Sequence, residues 1–107
     1  MNQLSCHVLD TANGRPAADI TVKLFRLGSF ECLAEAQTDQ DGRVKFTEVA
    51  LDTHNYTLRF LVQPYCEAQF GQAFFPMIDV HFTVSETRNY HIPLLLSPYS
   101  YSSYRGS

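Results

Sequence analysis

Ile78-Asp79-Val80-His81-Phe82-Thr83-Val84 carries an apolar residue at every second position, passes through the polar turn Ser85-Glu86-Thr87-Arg88-Asn89, and resumes as Tyr90-His91-Ile92-Pro93-Leu94-Leu95-Leu96. A period of two is the repeat of an extended chain, whose successive side chains point to opposite faces. The stretch therefore predicts two strands, each apolar on one side. Pro93 has no backbone N–H to give to a neighbour, so its strand is expected at a sheet edge or with a bulge at that point.

The same period recurs on both sides of this stretch. Leu4, Cys6 and Val8 share one face of a first strand, with Ser5 and His7 on the other, and Asn13-Gly14-Arg15-Pro16 supplies turn residues. Ile20, Val22 and Leu24 mark a second strand. Cys32, Ala34 and Ala36 mark the inner side of a third, which ends at the turn Asp39-Gln40-Asp41-Gly42. Val44 and Phe46 face inward from a short fourth strand, with Arg43 and Lys45 outward. Tyr56, Leu58, Phe60 and Val62 mark a fifth. Pro64 then suits the first turn of a short helix through Gln69, which Gly71 closes. With the Tyr/Ser segment Ser97–Ser103 as an eighth strand, short strands broken by frequent turns and one helix predict an all-β sandwich.

The chain has 107 residues, enough for one domain, expected over 1–107, and one core. Hydrophobic residues make up 45% and charged residues 18%, a globular balance. A net charge of −3 and only two lysines argue against nucleic acid or an anionic membrane as partner, since both demand clustered cations. No apolar run approaches the ~20 residues needed to span a bilayer. The start, Met1-Asn2-Gln3-Leu4, lacks a basic segment followed by an apolar one, and the last residues are not Ser-Lys-Leu; a cytoplasmic location is expected. Cys6, Cys32 and Cys66 cannot all pair within one chain and lack metal spacing, so free thiols are expected.

Several chemical signals dissolve on inspection. Asp39-Gln40-Asp41-Gly42 imitates the start of a calcium loop, but Val44 and Phe46 alternate as a strand directly after it, and a turn is the better reading. Cys66 near a helix start has no histidine close in sequence to activate it. His54 lies in a polar turn and His81 alternates outward, as solvated histidines do. His7 and His91 each occupy the polar side of an otherwise apolar strand, a face that another sheet or subunit could cover. Two imidazoles with Arg43 and Arg105 would suit addition of water to a carbonyl. A neutral imidazole takes the proton, and a guanidinium, which stays charged, holds the developing oxyanion. Spacing alone does not show that these four converge. There is no His-x-His or His-Glu-x-x-His pattern for zinc.

The final residues, Tyr104-Arg105-Gly106-Ser107, form a motif where a chain end ordinarily frays. Two readings compete: a flexible Tyr/Ser tail, or a strand that presents Arg105 at its exit. Taken with His7-Val8-Leu9-Asp10-Thr11-Ala12-Asn13-Gly14-Arg15-Pro16-Ala17, Asp41-Gly42-Arg43 and Tyr90-His91-Ile92-Pro93-Leu94-Leu95-Leu96-Ser97-Pro98-Tyr99, the tetrapeptide completes a set that resembles the 5-hydroxyisourate hydrolases, the transthyretin-related enzymes of purine degradation. The resemblance covers essentially the whole chain, in order.

The resemblance implies a transthyretin-like sandwich of two four-stranded sheets with one short helix, assembled as a homotetramer, a dimer of dimers with sites in the channel between dimers. It implies His7, Arg43 and His91 as catalytic residues, with Tyr104, Arg105, Gly106 and Ser107 completing a substrate pocket. The implied reaction is hydrolysis of the cyclic amide of 5-hydroxyisourate to 2-oxo-4-hydroxy-4-carboxy-5-ureidoimidazoline, with neither metal nor organic cofactor. Three other classes compete: a non-enzymatic transthyretin-like binder of small ligands, a structural sandwich domain of an adhesin, and a zinc-dependent hydrolase. Carriers of the same fold lack the combination of His7, His91 and the terminal tetrapeptide, so those residues separate the first rival from the enzyme.

Overall fold

The computed structural model describes residues 3–107; Met1 and Asn2, which the domain expected over 1–107 includes, lie outside the described residues. The strands are β1 (Leu4–Asp10), β2 (Arg15–Pro16), β3 (Thr21–Arg26), β4 (Cys32–Gln37), β5 (Arg43–Phe46), β6 (Asn55–Leu61), β7 (Ile78–Thr83), β8 (Tyr90–Leu96) and β9 (Tyr101–Ser103), with helix α1 (Gln63–Phe70) after β6. They form two sheets. One is ordered β2-β1-β8-β9 with β5 also on β1, and the other is ordered β4-β3-β6-β7. The expected sandwich with one short helix is what the chain adopts, and the two-residue β2 gives the first sheet a fifth member.

Alternation drives this packing. Leu4, Cys6 and Val8 of β1, Val22 and Leu24 of β3, Leu58 and Phe60 of β6, and Ile92, Leu94 and Leu96 of β8 meet in one core between the sheets. Full burial of a Val, Leu, Ile or Phe side chain is worth about 1.5–3 kcal/mol. A slip of one residue in any of these strands would turn that whole set to solvent, which fixes the register. It also fixes what points out. Ser5, His7, Arg43 and His91 are the outward alternates of these same strands.

Three expectations need correction or refinement. Pro93 does not sit at an edge: β8 lies between β1, to which it is parallel, and β9, to which it is antiparallel. Nor is there a bulge. The β8–β9 ladder stops at Leu94↔Ser103 and reappears as a single bridge, His91↔Gly106, so the missing donor falls in the gap, where Ser103 Oγ donates to the Pro93 carbonyl at 2.7 Å. Cys32 is exposed rather than inward, because β4 is an outer strand and the β3–β4 register shifts between Leu24 and Phe25. The eighth predicted strand is shorter than Ser97–Ser103, because Ser97–Ser100 closes a turn in which the Ser97 amide donates to the Ser100 carbonyl at 3.0 Å. The helix ends as expected, with Gly71 left-handed (φ 83) and its N–H on the Glu67 carbonyl.

The turn before β5 is built rather than merely polar. Asp39 Oδ1 accepts from the amides of Asp41 and Arg43, both at 2.9 Å, and Gly42 turns the chain at φ 73. The Gly42 carbonyl then accepts from Val8 N–H at 2.8 Å, where β1 passes from β5 to β2. This pins Arg43 directly opposite His7.

Candidate active site

The outward face of the first sheet gathers the predicted chemistry. His7 pairs with Arg43 across the antiparallel β1–β5 ladder, and Ser5 pairs with His91 across the parallel β1–β8 ladder. Directly opposed residues hold their Cβ atoms about 5 Å apart. Two imidazoles and a guanidinium therefore share one patch, although the chain separates them by tens of residues. Beside them opens a cleft of about 570 Å³ whose walls include Gln3, Ser5, Asp39, Arg43, Lys45, Asn89, His91 and Ser107.

His91 is held on two sides. Ser5 Oγ lies 2.8 Å from its Nδ1. Gly106 donates its amide to the His91 carbonyl at 2.8 Å and lies so close that a Cβ there would meet ring atom Cδ2 at 2.6 Å. Only glycine fits. Burial, then the charge of Arg43, then His7, push the His91 pKa below its ordinary value, which keeps the ring neutral and basic near neutral pH. Arg43 has no ion-pair partner among the described residues, so its charge is free to act on a bound molecule.

A second cleft of about 390 Å³, on the outer face of the other sheet, is chemically different. There Arg59 grips Asp79 through two hydrogen bonds of 2.9 and 3.1 Å, Lys23 approaches Glu35 at 3.7 Å, and His81 Nδ1 is engaged by Thr57 Oγ1 at 2.7 Å. Its charges neutralise one another. His54 is exposed in its turn.

The tetrapeptide divides. Gly106 and Ser107 return to the face of His91, whereas Tyr104 and Arg105 line another cleft, of about 340 Å³, with Val80, Phe82 and Ile92 at the β7 side of the sandwich. The cause is alternation once more: the bridge His91↔Gly106 sets Arg105 beside Ile92, whose side chain faces inward. The tail is not a loose segment, since β9 and this bridge tie it to β8. Ser5 is the residue that sequence reasoning placed on the face of His7 without giving it a role. Only the parallel β1–β8 register, which sets it opposite His91, singles it out.

The nucleophile reading of Cys66 fails on burial, which raises its thiol pKa, helped by the nearby charges of Asp10 and Glu67. Burial likewise pushes the Cys6 thiol up to about 12. Only a thiolate attacks a disulfide reagent. A chromogenic thiol reagent is thus expected to titrate one fast group per folded chain, Cys32, and the other two only after denaturation; two fast groups in the native protein would contradict this burial. Among the described residues no group of three or more His, Cys, Asp or Glu side chains could hold a metal ion. No helix among them is long and apolar enough to cross a membrane.

Nine strands in two sheets with one helix, among the described residues, make this a transthyretin-like sandwich, and on one of its outer faces His7, His91 and a guanidinium without an ion-pair partner lie together. The chain belongs to the HIUase/Transthyretin family, which matches residues 4–106. It is 38% identical to the probable 5-hydroxyisourate hydrolase of Schizosaccharomyces pombe, over 97% of this chain and 90% of that protein. With the 5-hydroxyisourate hydrolase of Mus musculus it shares 39% identity, over 97% and 94%. Among solved structures, the 5-hydroxyisourate hydrolase of Klebsiella pneumoniae superposes with a TM-score of 0.87 at 35% identity, covering 100% of both chains. Sea bream transthyretin in complex with thyroxine reaches 0.86 at 27% identity, over 96% of this chain and 93% of that one. The two scores are equal for practical purposes, so backbone shape does not separate a hydrolase from a carrier.

Proposed function

We propose that this chain, as a single domain over 1–107, is a 5-hydroxyisourate hydrolase, working by attack of water on the cyclic amide carbonyl to give 2-oxo-4-hydroxy-4-carboxy-5-ureidoimidazoline. The observation that carries this reading is the placement of His7, Arg43 and His91 together on one outward sheet face. A neutral imidazole draws a proton from water as its oxygen adds to the carbonyl, Arg43 balances the oxyanion charge, and the C–N bond breaks as the ring nitrogen takes a proton. Ser107 borders the same cleft. Tyr104 and Arg105 would reach substrate from the other cleft through assembly, since the face of His91 and the exposed edges formed by β7 and β9 are suited to meeting further copies in a homotetramer, a dimer of dimers. The site chemistry asks for neither metal nor organic cofactor, and a cytoplasmic location fits free thiols.

The test is decay of the 5-hydroxyisourate absorbance, generated from urate and urate oxidase, upon addition of the purified chain. Decay at the spontaneous rate overturns the hydrolase reading. With the base pKa held below the ordinary histidine value of about 6.5, kcat/KM should be level from pH 8 to 7 and fall on further acidification as His91 takes up a proton. A profile flat from pH 5 to 8 would exclude a histidine base.

A further inference from the structure

Building on that hydrolytic reading, we propose that Ser5 is a positioning residue, accepting a hydrogen bond from Nδ1–H of His91 so that Nε2 is the atom that takes the proton from attacking water. Three contacts around the ring lead here. Ser5 Oγ stands 2.8 Å from Nδ1, and it stands there because β1 and β8 run parallel with Ser5 directly opposite His91. A Cβ at Gly106 would meet Cδ2 at 2.6 Å and Cγ at 3.2 Å, so the chain there lies along that edge of the ring. With Nδ1 engaged and the Cγ–Cδ2 edge covered, Nε2 and Cε1 form the open end of the ring, and Nε2 has no protein partner among the described residues.

A hydroxyl can donate or accept, and the two choices have opposite consequences. If Ser5 donated to Nδ1, the ring proton would lie on Nε2, and that atom could not act as a base. If Ser5 accepts, Nε2 keeps its lone pair. The accepting arrangement also survives the reaction, because Nδ1 bears a hydrogen in both the neutral and the protonated ring. The same bond then holds before and after proton transfer, with no reorientation at the moment of chemistry. The charged and titratable groups facing this ring are His7 from β1, Arg43 and Lys45 from β5, and Asp39 from the turn before it. Of these, Arg43 and then His7 favour the neutral ring that the hydroxyl orients.

The test compares Ser5→Ala with Ser5→Thr, which keeps the hydroxyl and suits a strand. Steady-state kinetics on 5-hydroxyisourate between pH 5 and 8 would be paired with nitrogen NMR of the His91 ring in protein labelled with 15N-histidine. Ser5→Ala should lower kcat by about ten- to a hundredfold, leave KM within about threefold, and lose the single tautomer protonated at Nδ1. Ser5→Thr should restore both rate and tautomer. Wild-type kcat in Ser5→Ala, a ring protonated at Nε2 in the unmodified protein at neutral pH, or an equal loss in Ser5→Thr would each overturn the assignment. No turnover by the unmodified chain would instead overturn the hydrolase reading and the catalytic half of this one. The ring spectrum tells that failure apart from a wrong tautomer.

Discussion

His91→Ala is expected to lower kcat/KM by about 10²–10⁴-fold, the range that loss of a positioned acid–base group spans, with the fold intact. The imidazole faces outward from β8, and the neighbours that hold the strand, Ile92 and Leu94, remain buried. The bond from Gly106 N–H goes to the His91 carbonyl, which alanine keeps. Circular dichroism and sizing should therefore match the parent while absorbance decay slows. A variant with parental rate would show that the ring is only packing. Arg43→Ala gives an independent check with a definite sign. Burial would still depress the His91 pKa, but the contribution of the guanidinium would vanish, so the acid limb of the pH profile should move to higher pH as the rate drops. Arg43→Lys should recover the position of that limb better than the rate, because an ammonium supplies charge without the planar fork.

Gly42→Ala should be the most damaging single methyl group for stability, costing about 2–4 kcal/mol. Gly42 sits at φ 73, where a Cβ is strained, and the added carbon would lie 2.5 Å from the Val8 carbonyl oxygen. That carbonyl cannot withdraw freely. It accepts from Ala17 N–H at 2.9 Å, while Val8 N–H donates to the Gly42 carbonyl. The clash thus spreads through β1 into both of its short neighbours, and it would tilt Arg43 away from His7. Chemical denaturation should show a lower midpoint with an unchanged slope, and activity should fall even at temperatures where the variant is folded. Gly14→Ala is the control, because Gly14 has a similar φ of 66 but nothing within 4 Å of the added carbon. Equal destabilisation of the two variants would mean that strain, not the Val8 contact, is the cause.

The strands were legible because their inner alternates are nearly all apolar. Leu4, Cys6 and Val8, or Ile92, Leu94 and Leu96, signal a face without reference to any partner. The helix was legible from Pro64 and Gly71. Pro93 misled because its rule concerns donors, and the donor it lacks falls where the β8–β9 ladder is already open. Cys32 misled because alternation tells which residues share a face but not whether another layer covers it, and β4 is at the side of its sheet. Of the site, His7 and His91 were visible as polar alternates on apolar strands. Ser5 was not, because a serine on an outward face carries no signal until the opposing residue is known.

By itself the sequence determined the class of fold, most residues of the core and the polar side of every strand but β4, since these depend on local periodicity and on the free energy of burying apolar surface. It also supplied the residue set that resembles the hydrolases. The tertiary structure decided which strands lie beside which. The segment Ile78–Leu96 reads as two strands across a short turn, yet β7 and β8 lie in different sheets, and β8 pairs in parallel with a strand more than 80 residues earlier. That pairing sets Ser5 against His91, and the turn at Gly42 sets Arg43 against His7. Period-two patterns are identical in every strand and carry no label for a partner. The pairing is selected by the packing of the whole core, which no local stretch of sequence contains.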